Sequence, residues 1–163
     1  MKNGSDRDFR SFIYSMLSFA TLMLRSREYF AAHIGVTGPQ YSMMAVIAES
    51  GRATIGEIAI RMNVASPFVT TEIGKLIKKD IVQKMANETD RRSVILTLTA
   101  KGKNLIRDLA PLRCTVNDHM YRSLTPARAA ALADIMRDLI ADSSRALYEL
   151  DAPRQRGGSR PSR

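Results

Sequence analysis

The chain has 163 residues, 45% of them apolar, which is enough to build a hydrophobic core and excludes a wholly disordered protein. Lys and Arg number 25 against 16 Asp and Glu, so the formal net charge is +9 and the favoured partners carry negative charge. One Cys and two His exclude a disulfide scaffold and leave too few ligands for a closed zinc site, so we expect no metal and no cofactor.

The sequence also lacks the features of a membrane or exported protein. No stretch reaches the roughly 18 uncharged apolar residues that a membrane span requires. The first ten residues mix acids with bases, and no apolar segment of a signal peptide follows them. We therefore expect a cytoplasmic protein without a membrane partner.

The positive charge is concentrated in the middle of the chain and at its end. Residues 52–103 hold 10 Lys and Arg against 5 Asp and Glu, whereas the segments on either side are nearly neutral and rich in apolar residues. The segment 151–163 carries four Arg, two Pro and two Gly without apolar periodicity, which predicts a disordered basic tail. A solubilising role and a phosphate-contacting role both stay open for this tail.

Two helices are predicted in the N-terminal part. Apolar residues recur at helical spacing from Phe9 to Phe30, which predicts a long first helix. Thr37 followed by Pro39 is typical of a helix start, and Gly51 of a helix end. These signals bound a second helix.

The next two helices are short and close together. Thr54 predicts the N-cap of a third helix over 55–62, and Asn63 follows where a left-handed residue is tolerated. Ser66 predicts the N-cap of a fourth helix, with Pro67 at its first helical position. A short helix, a turn of about four residues and a second helix form a helix-turn-helix pattern, which is typical of DNA-binding proteins.

After the fourth helix the apolar period changes from helical to alternating. Residues 81–86 and 93–99 are β-branched runs of strand length, and the charged segment 87–92 between them predicts a hairpin, or wing. Thr99 then predicts the start of a long fifth helix and Thr125 the cap of a sixth. The sequence therefore predicts a mainly α (α+β) winged helix-turn-helix fold in the order ααααββαα.

The fourth helix presents a candidate DNA-reading face. With Val69, Ile73 and Leu76 set inward, the opposite side carries Gly74, Thr71, Lys75 and Lys78. Lys75 can donate to guanine or to a phosphate, and Thr71 can hydrogen-bond a base or place its methyl group on thymine. An ordinary solvated face is the alternative for these lysines.

Other residues of this region suit phosphates and the minor groove. Ser66, Thr70 and the amides at the helix start are candidate phosphate contacts. Glu72 lies on the flank of the helix, where its carboxylate either accepts a hydrogen bond from cytosine or pairs with a neighbouring basic side chain. Arg91 and Arg92 at the hairpin tip suit the negative potential of a narrow minor groove, while a merely solubilising charged turn is the alternative.

The sequence resembles the MarR family of regulators. The resemblance rests on Ile58 to Val64, on the helix ending at Leu76, and most specifically on Asp90-Arg91-Arg92-Ser93 with the Leu98-Thr99-x-x-Gly102 that follows. Three residues depart from the family pattern: Thr71 stands where many relatives have arginine, Glu72 replaces a usual apolar residue, and Asp80 stands at a usual glycine. The resemblance covers about residues 9 to 150 and implies a homodimer that binds double-stranded DNA, with Arg92 in the minor groove.

Wide apolar faces on the first and last helices also favour a homodimer, because one small winged domain cannot cover them. A symmetric dimer would recognise a pseudo-palindromic operator with half-sites about one helical turn apart. The predicted domains are a dimerisation helix (1–36), a winged DNA-binding domain (37–103), C-terminal dimerisation helices (104–150) and the tail (151–163).

The resemblance further implies an effector pocket between the dimerisation helices and the winged domain, for an aromatic carboxylate, a phenolic compound or an acyl thioester. Ten residues are candidates for its lining by position: Met16, Phe19, Met23, Arg25, Arg27, Phe30, His33, Tyr41, Met44 and Arg113. Met and Phe at this spacing are equally what an ordinary core requires, and that alternative stays open. Cys114, beside Arg113, is expected to be buried and inert.

These features predict a ligand-responsive transcriptional repressor. A non-specific or architectural DNA-binding protein without an effector is the alternative, and the basic tail motivates it. An enzyme is not expected, because the sequence has no Gly-rich nucleotide loop, H-E-x-x-H segment or nucleophile elbow.

Overall fold

The computed structural model describes residues 7–86 and 93–151 and confirms the predicted order of elements. The elements are α1 (Arg7–His33), α2 (Gly38–Ser50), α3 (Ile55–Met62), α4 (Ser66–Lys78), β1 (Val82–Ala86), β2 (Val94–Leu98), α5 (Ala100–Met120) and α6 (Pro126–Asp151). The first helix extends beyond its predicted bounds at both ends, and each strand is shorter than its sequence pattern suggested. The hairpin tip 87–92 and the tail 152–163 lie outside the described residues.

The chain divides into two compact units, residues 1–117 and 118–163. The core of the first unit is formed by side chains of α2, α3, α4 and the strands that are at most 1% exposed, including Met43, Met44, Ile47, Ile58, Ile73, Leu76 and Leu96. The second unit contains α6, on which no described side chain is buried. No helix among the described residues combines the length and apolar character that a bilayer span needs.

Helix ends in the first unit follow the local chemistry of the sequence. The Thr37 hydroxyl accepts from the Gln40 amide, and the Gln40 side chain accepts from the Thr37 amide, so α2 begins with a reciprocal capping box. Gly51 ends α2 in the left-handed region at φ 74°. Both signals were predicted from the sequence and are confirmed.

The wing is a two-stranded antiparallel sheet whose register runs from Val82 opposite Leu98 to Ala86 opposite Val94. Sequence analysis missed an isolated antiparallel β-bridge between the wing and the loop before α3. Ala53 pairs with Leu96, with N···O distances of 3.0 Å and 2.8 Å in the two directions. A single paired residue leaves no periodicity to detect, yet it attaches the loop before α3 to the wing.

Asp80 occupies a left-handed backbone position, φ 56°, between α4 and β1. Only Gly, and to a lesser degree Asn and Asp, adopts this region readily. We expect Asp80→Ala to lower the free energy of unfolding by about 1 kcal/mol, and Asp80→Gly to be neutral or stabilising. Urea unfolding of the three proteins checks this. An Ala variant as stable as the Asp parent would show that position 80 carries no such strain.

Candidate nucleic-acid interface

The helix-turn-helix is built from α3, a short turn and α4. Thr54 and Glu57 form a capping box at the start of α3, and the hydrogen bonds from the Thr54 amide and hydroxyl hold the pKa of Glu57 below its usual value. Asn63 ends α3 at φ 53°, in the left-handed region predicted for it. The Val64 amide then donates to the Ala59 carbonyl at 3.0 Å, which sets the direction of the turn.

The start of α4 differs by one residue from the prediction. Ala65, not Ser66, is the N-cap, and its side chain makes no capping hydrogen bond. Ser66 is the first helical residue and is exposed, and Pro67 follows it. The amides of the first turn are therefore not covered by a side-chain cap, although Pro67 contributes no N–H to them.

The outer face of α4 carries the predicted reading residues. Thr71, Lys75 and Lys78 are exposed and Gly74 is half-buried. The hydroxyls of Thr70 and Thr71 each donate to a carbonyl one turn earlier, at 3.0 Å. These hydroxyl protons are engaged within the helix, so Thr71 offers its methyl group and its acceptor lone pairs rather than a donor.

Glu72 does not lie on an exposed flank as the sequence analysis placed it. It is 7% exposed and faces the core beside Val69 and Ile73. Its oxygens accept from Lys75 Nζ at 2.5 Å and from Gln40 Nε2 at 2.9 Å. The hydrogen bond from Lys75 holds the pKa of Glu72 below its usual value; burial opposes this and the Gln40 bond adds to it.

Two other lysines, Lys79 and Lys101, make hydrogen bonds to backbone carbonyls within the fold. Lys79 Nζ donates to the Gly35 carbonyl at 2.9 Å, and Lys101 Nζ donates to the Lys79 carbonyl at 2.8 Å. These bonds connect the end of α4 to the α1–α2 turn and to α5. Sequence analysis gave them no role, because each bond joins residues more than 20 positions apart.

The paired residues Ala86 and Val94 end the described part of the wing. Arg91 and Arg92, the predicted minor-groove residues, lie outside the described residues. The Lys84 side chain is exposed on β1, so the described part of the wing also presents positive charge.

The predicted effector residues are divided by the structure. Phe30, Tyr41 and Met44 are 4%, 8% and 0% exposed and belong to the core, with Phe30 and Tyr41 in edge contact at 5.9 Å between ring centroids. The remainder are half-buried or exposed: Met16, Arg27 and Arg113 are half-buried, and Phe19, Met23, Arg25 and His33 are exposed. Phe19 borders an open groove along α1 that the predicted set does not otherwise line.

Two further features were not anticipated. Ile47, Gly51 and Leu98 line a small cavity of about 290 Å³ between α2, β2 and α5, and Lys103 and Arg107 also border it. None of the predicted effector residues lies there. Cys114 is exposed, so the expectation that it is buried was wrong; its neighbours Leu112 and Val116 on α5 are the residues that pack against the core.

Comparison with known proteins agrees with the geometry. The MarR family profile matches residues 36–94, from α2 to the start of β2. The chain is 25% identical to YsmB of Bacillus subtilis, an uncharacterized HTH-type transcriptional regulator, over 71% of this chain and 80% of YsmB.

Solved structures share the fold. AbsC of Streptomyces coelicolor, a MarR family transcriptional regulator, superposes with a TM-score of 0.75 at 19% identity, covering 89% of this chain and 99% of AbsC. Sco3205 of the same organism, solved in complex with DNA, gives 0.73 at 22% identity, covering 85% and 92%. Residues 36–94 therefore match the MarR family, and the described residues have the winged helix-turn-helix fold of the solved MarR family regulators.

Proposed function

We propose that this protein is a homodimeric repressor that binds a pseudo-palindromic operator and is released by a small aromatic or acyl-thioester effector. The observation that carries the proposal is the exposed face of α4, with Thr71, Lys75 and Lys78. Apolar side chains on α1 and α6 are also exposed to solvent. A dimer bound at a promoter would exclude other proteins from that DNA, so we expect binding to repress transcription.

The proposed DNA contacts follow from the exposed chemistry. Lys75 and Lys78 address base edges or phosphates, and Thr71 reads a thymine methyl group or a base amino group. Ser66 contacts the phosphate backbone at the entry to the major groove, and Thr70 does so when its hydroxyl proton turns from the Ser66 carbonyl to a phosphate oxygen. Arg91 and Arg92 of the wing enter the adjacent minor groove.

Uncovered apolar surface supports a second copy of the chain as partner. On α1, Phe12, Leu17 and Leu24 are 44%, 59% and 51% exposed, and on α6 Ile140 and Leu147 are 55% and 59% exposed. A soluble protein rarely leaves such surface open to water. A symmetric pair would also bring two α4 helices to successive major grooves.

The effector proposal is supported by one orphaned group. Arg27 Nε is buried and has no hydrogen-bond partner among the described residues, although another nitrogen of the same side chain pairs with Glu28 at 3.0 Å. Arg27 lies one helical turn before Phe30, which contacts Tyr41. A carboxylate on an aromatic ring would satisfy this guanidinium.

Operator binding is tested by gel shift on the protein's own promoter and on duplexes selected from a random library. We expect Arg92→Ala and Lys78→Ala each to weaken binding to the selected duplex about tenfold, because each removes a contact to DNA. Arg107→Ala on α5 removes the same charge away from the proposed face and is expected to have little effect. Equal losses in all three variants would contradict the assigned face.

A non-specific DNA-binding protein is the second candidate, and the net charge of +9 favours it. It predicts equal affinity for the selected duplex and for its scrambled version, with affinity set by salt alone. Adding aromatic carboxylates or phenols to the gel shift tests the effector separately. Release by none of them would remove the effector from the proposal and leave DNA binding in place.

A further inference from the structure

The second helix of the helix-turn-helix, α4, carries a carboxylate on the side that packs against the core. Glu72 lies among Val69, Ile73 and Leu76, each at most 1% exposed. A carboxylate so placed is stable only when its oxygens find donors, because burial removes their water. One oxygen accepts from Gln40 on α2 and the other from Lys75 on α4 itself.

The Gln40 partner is itself fixed. Gln40 is 2% exposed, and its side-chain oxygen accepts from the Thr37 amide at 3.2 Å while its nitrogen donates to Glu72. The amide of Gly38, the residue after Thr37, donates to the Glu28 carboxylate of α1 at 3.0 Å. Glu72 is thus held by an amide whose position the start of α2 determines.

The Lys75 partner is one of the proposed DNA contacts. Its side chain is 55% exposed, yet Nζ lies 2.5 Å from the Glu72 carboxylate. One of its three donor positions is therefore engaged, and its charge is partly balanced before DNA arrives. A lysine held in this way acts as an oriented donor, whereas an unheld lysine acts as a mobile point charge.

We propose that Glu72 is a positioning residue that makes Lys75 a sequence-reading donor: it orients Lys75 Nζ on the exposed face of α4 and lowers that residue's non-specific attraction to phosphate. This inference rests on the proposed function. In this inference Glu72 does not contact DNA; it raises sequence specificity and lowers the charge-driven affinity for any DNA.

The test measures two quantities for each variant: the ratio of affinities for the selected and scrambled duplexes, and the slope of log affinity against log salt. In Glu72→Gln, Lys75 is released, so we expect the ratio to fall about tenfold and the slope to steepen by up to about one. Asp108→Asn, which removes an exposed negative charge paired with Arg107, is the matched control and should change neither quantity.

A second variant keeps the test decisive if Glu72→Gln fails to fold. Lys75→Gln should lower the ratio about as much, while its salt slope stays within about half a unit of the parent, because Glu72 already balances that charge. Combining both substitutions should give no loss beyond Lys75→Gln alone.

The outcomes separate the inference from the proposed function. A parent protein that does not distinguish the selected from the scrambled duplex refutes the proposed function itself. If the parent does distinguish them, the inference is overturned by a Glu72→Gln variant with parental ratio and slope. A full unit of slope lost in Lys75→Gln overturns it as well.

Discussion

Gly102→Ala is expected to lower the free energy of unfolding by about 3 kcal/mol, the upper end of the usual cost of overpacking. A β-carbon added at Gly102 would lie 2.3 Å from the Ile81 carbonyl oxygen, which is backbone and has no rotamer by which to move away. That oxygen also accepts from the Thr99 amide at 3.0 Å and from the Thr99 hydroxyl at 3.2 Å. Thermal or urea unfolding measures the change.

The same contact connects the start of the wing to the start of α5, so a shift of Ile81 also moves β1. We therefore expect weaker DNA binding by the folded fraction of the Gly102→Ala variant. Gly74→Ala is the control, since a β-carbon there meets nothing within 4 Å and Ala is favoured over Gly in a helix by about 1 kcal/mol. Stability changes of the same sign in both variants would contradict the close approach at Gly102.

The elements that sequence analysis located correctly are those determined by neighbouring residues. Thr37 and Thr54 cap helices through residues three positions on, and Gly51 and Asn63 end them through their own backbone preferences. The boundary at Ser66 was wrong because Ala65 has the backbone conformation of a cap without a capping side chain. A pattern of residue types does not reveal that case.

Features that depend on distant partners were missed for a physical reason. The burial of Glu72 requires Gln40, 32 residues earlier, and nothing near Glu72 in the sequence indicates that an amide will meet it. The rung between Ala53 and Leu96 likewise joins segments separated by two helices. Phe30 and Tyr41 fit either a ligand pocket or a core by composition, and only packing distinguishes the two.

Leu17→Glu is expected to weaken self-association at least about a hundredfold and to lower operator affinity by a factor of about 10² to 10⁴. Leu17 lies on the apolar side of α1 and is 59% exposed in the single chain. Burying one leucine is worth about 1.5–3 kcal/mol, a symmetric dimer buries it twice, and a carboxylate in its place must lose its water. In the proposed homodimer, loss of the pair would also separate the two proposed half-site contacts and remove the gain from bivalent binding.

Ser18→Glu is the matched control, because Ser18 is the next residue and projects about 100° away from Leu17 around the same helix. Sedimentation equilibrium measures association and gel shift measures operator binding. Since Leu17 is exposed in one chain, the substitution leaves the core of the first unit intact, and the unfolding of the isolated monomer should be unchanged. Equal association of the Leu17→Glu, Ser18→Glu and parent proteins would mean that the apolar side of α1 is not the surface on which two chains meet.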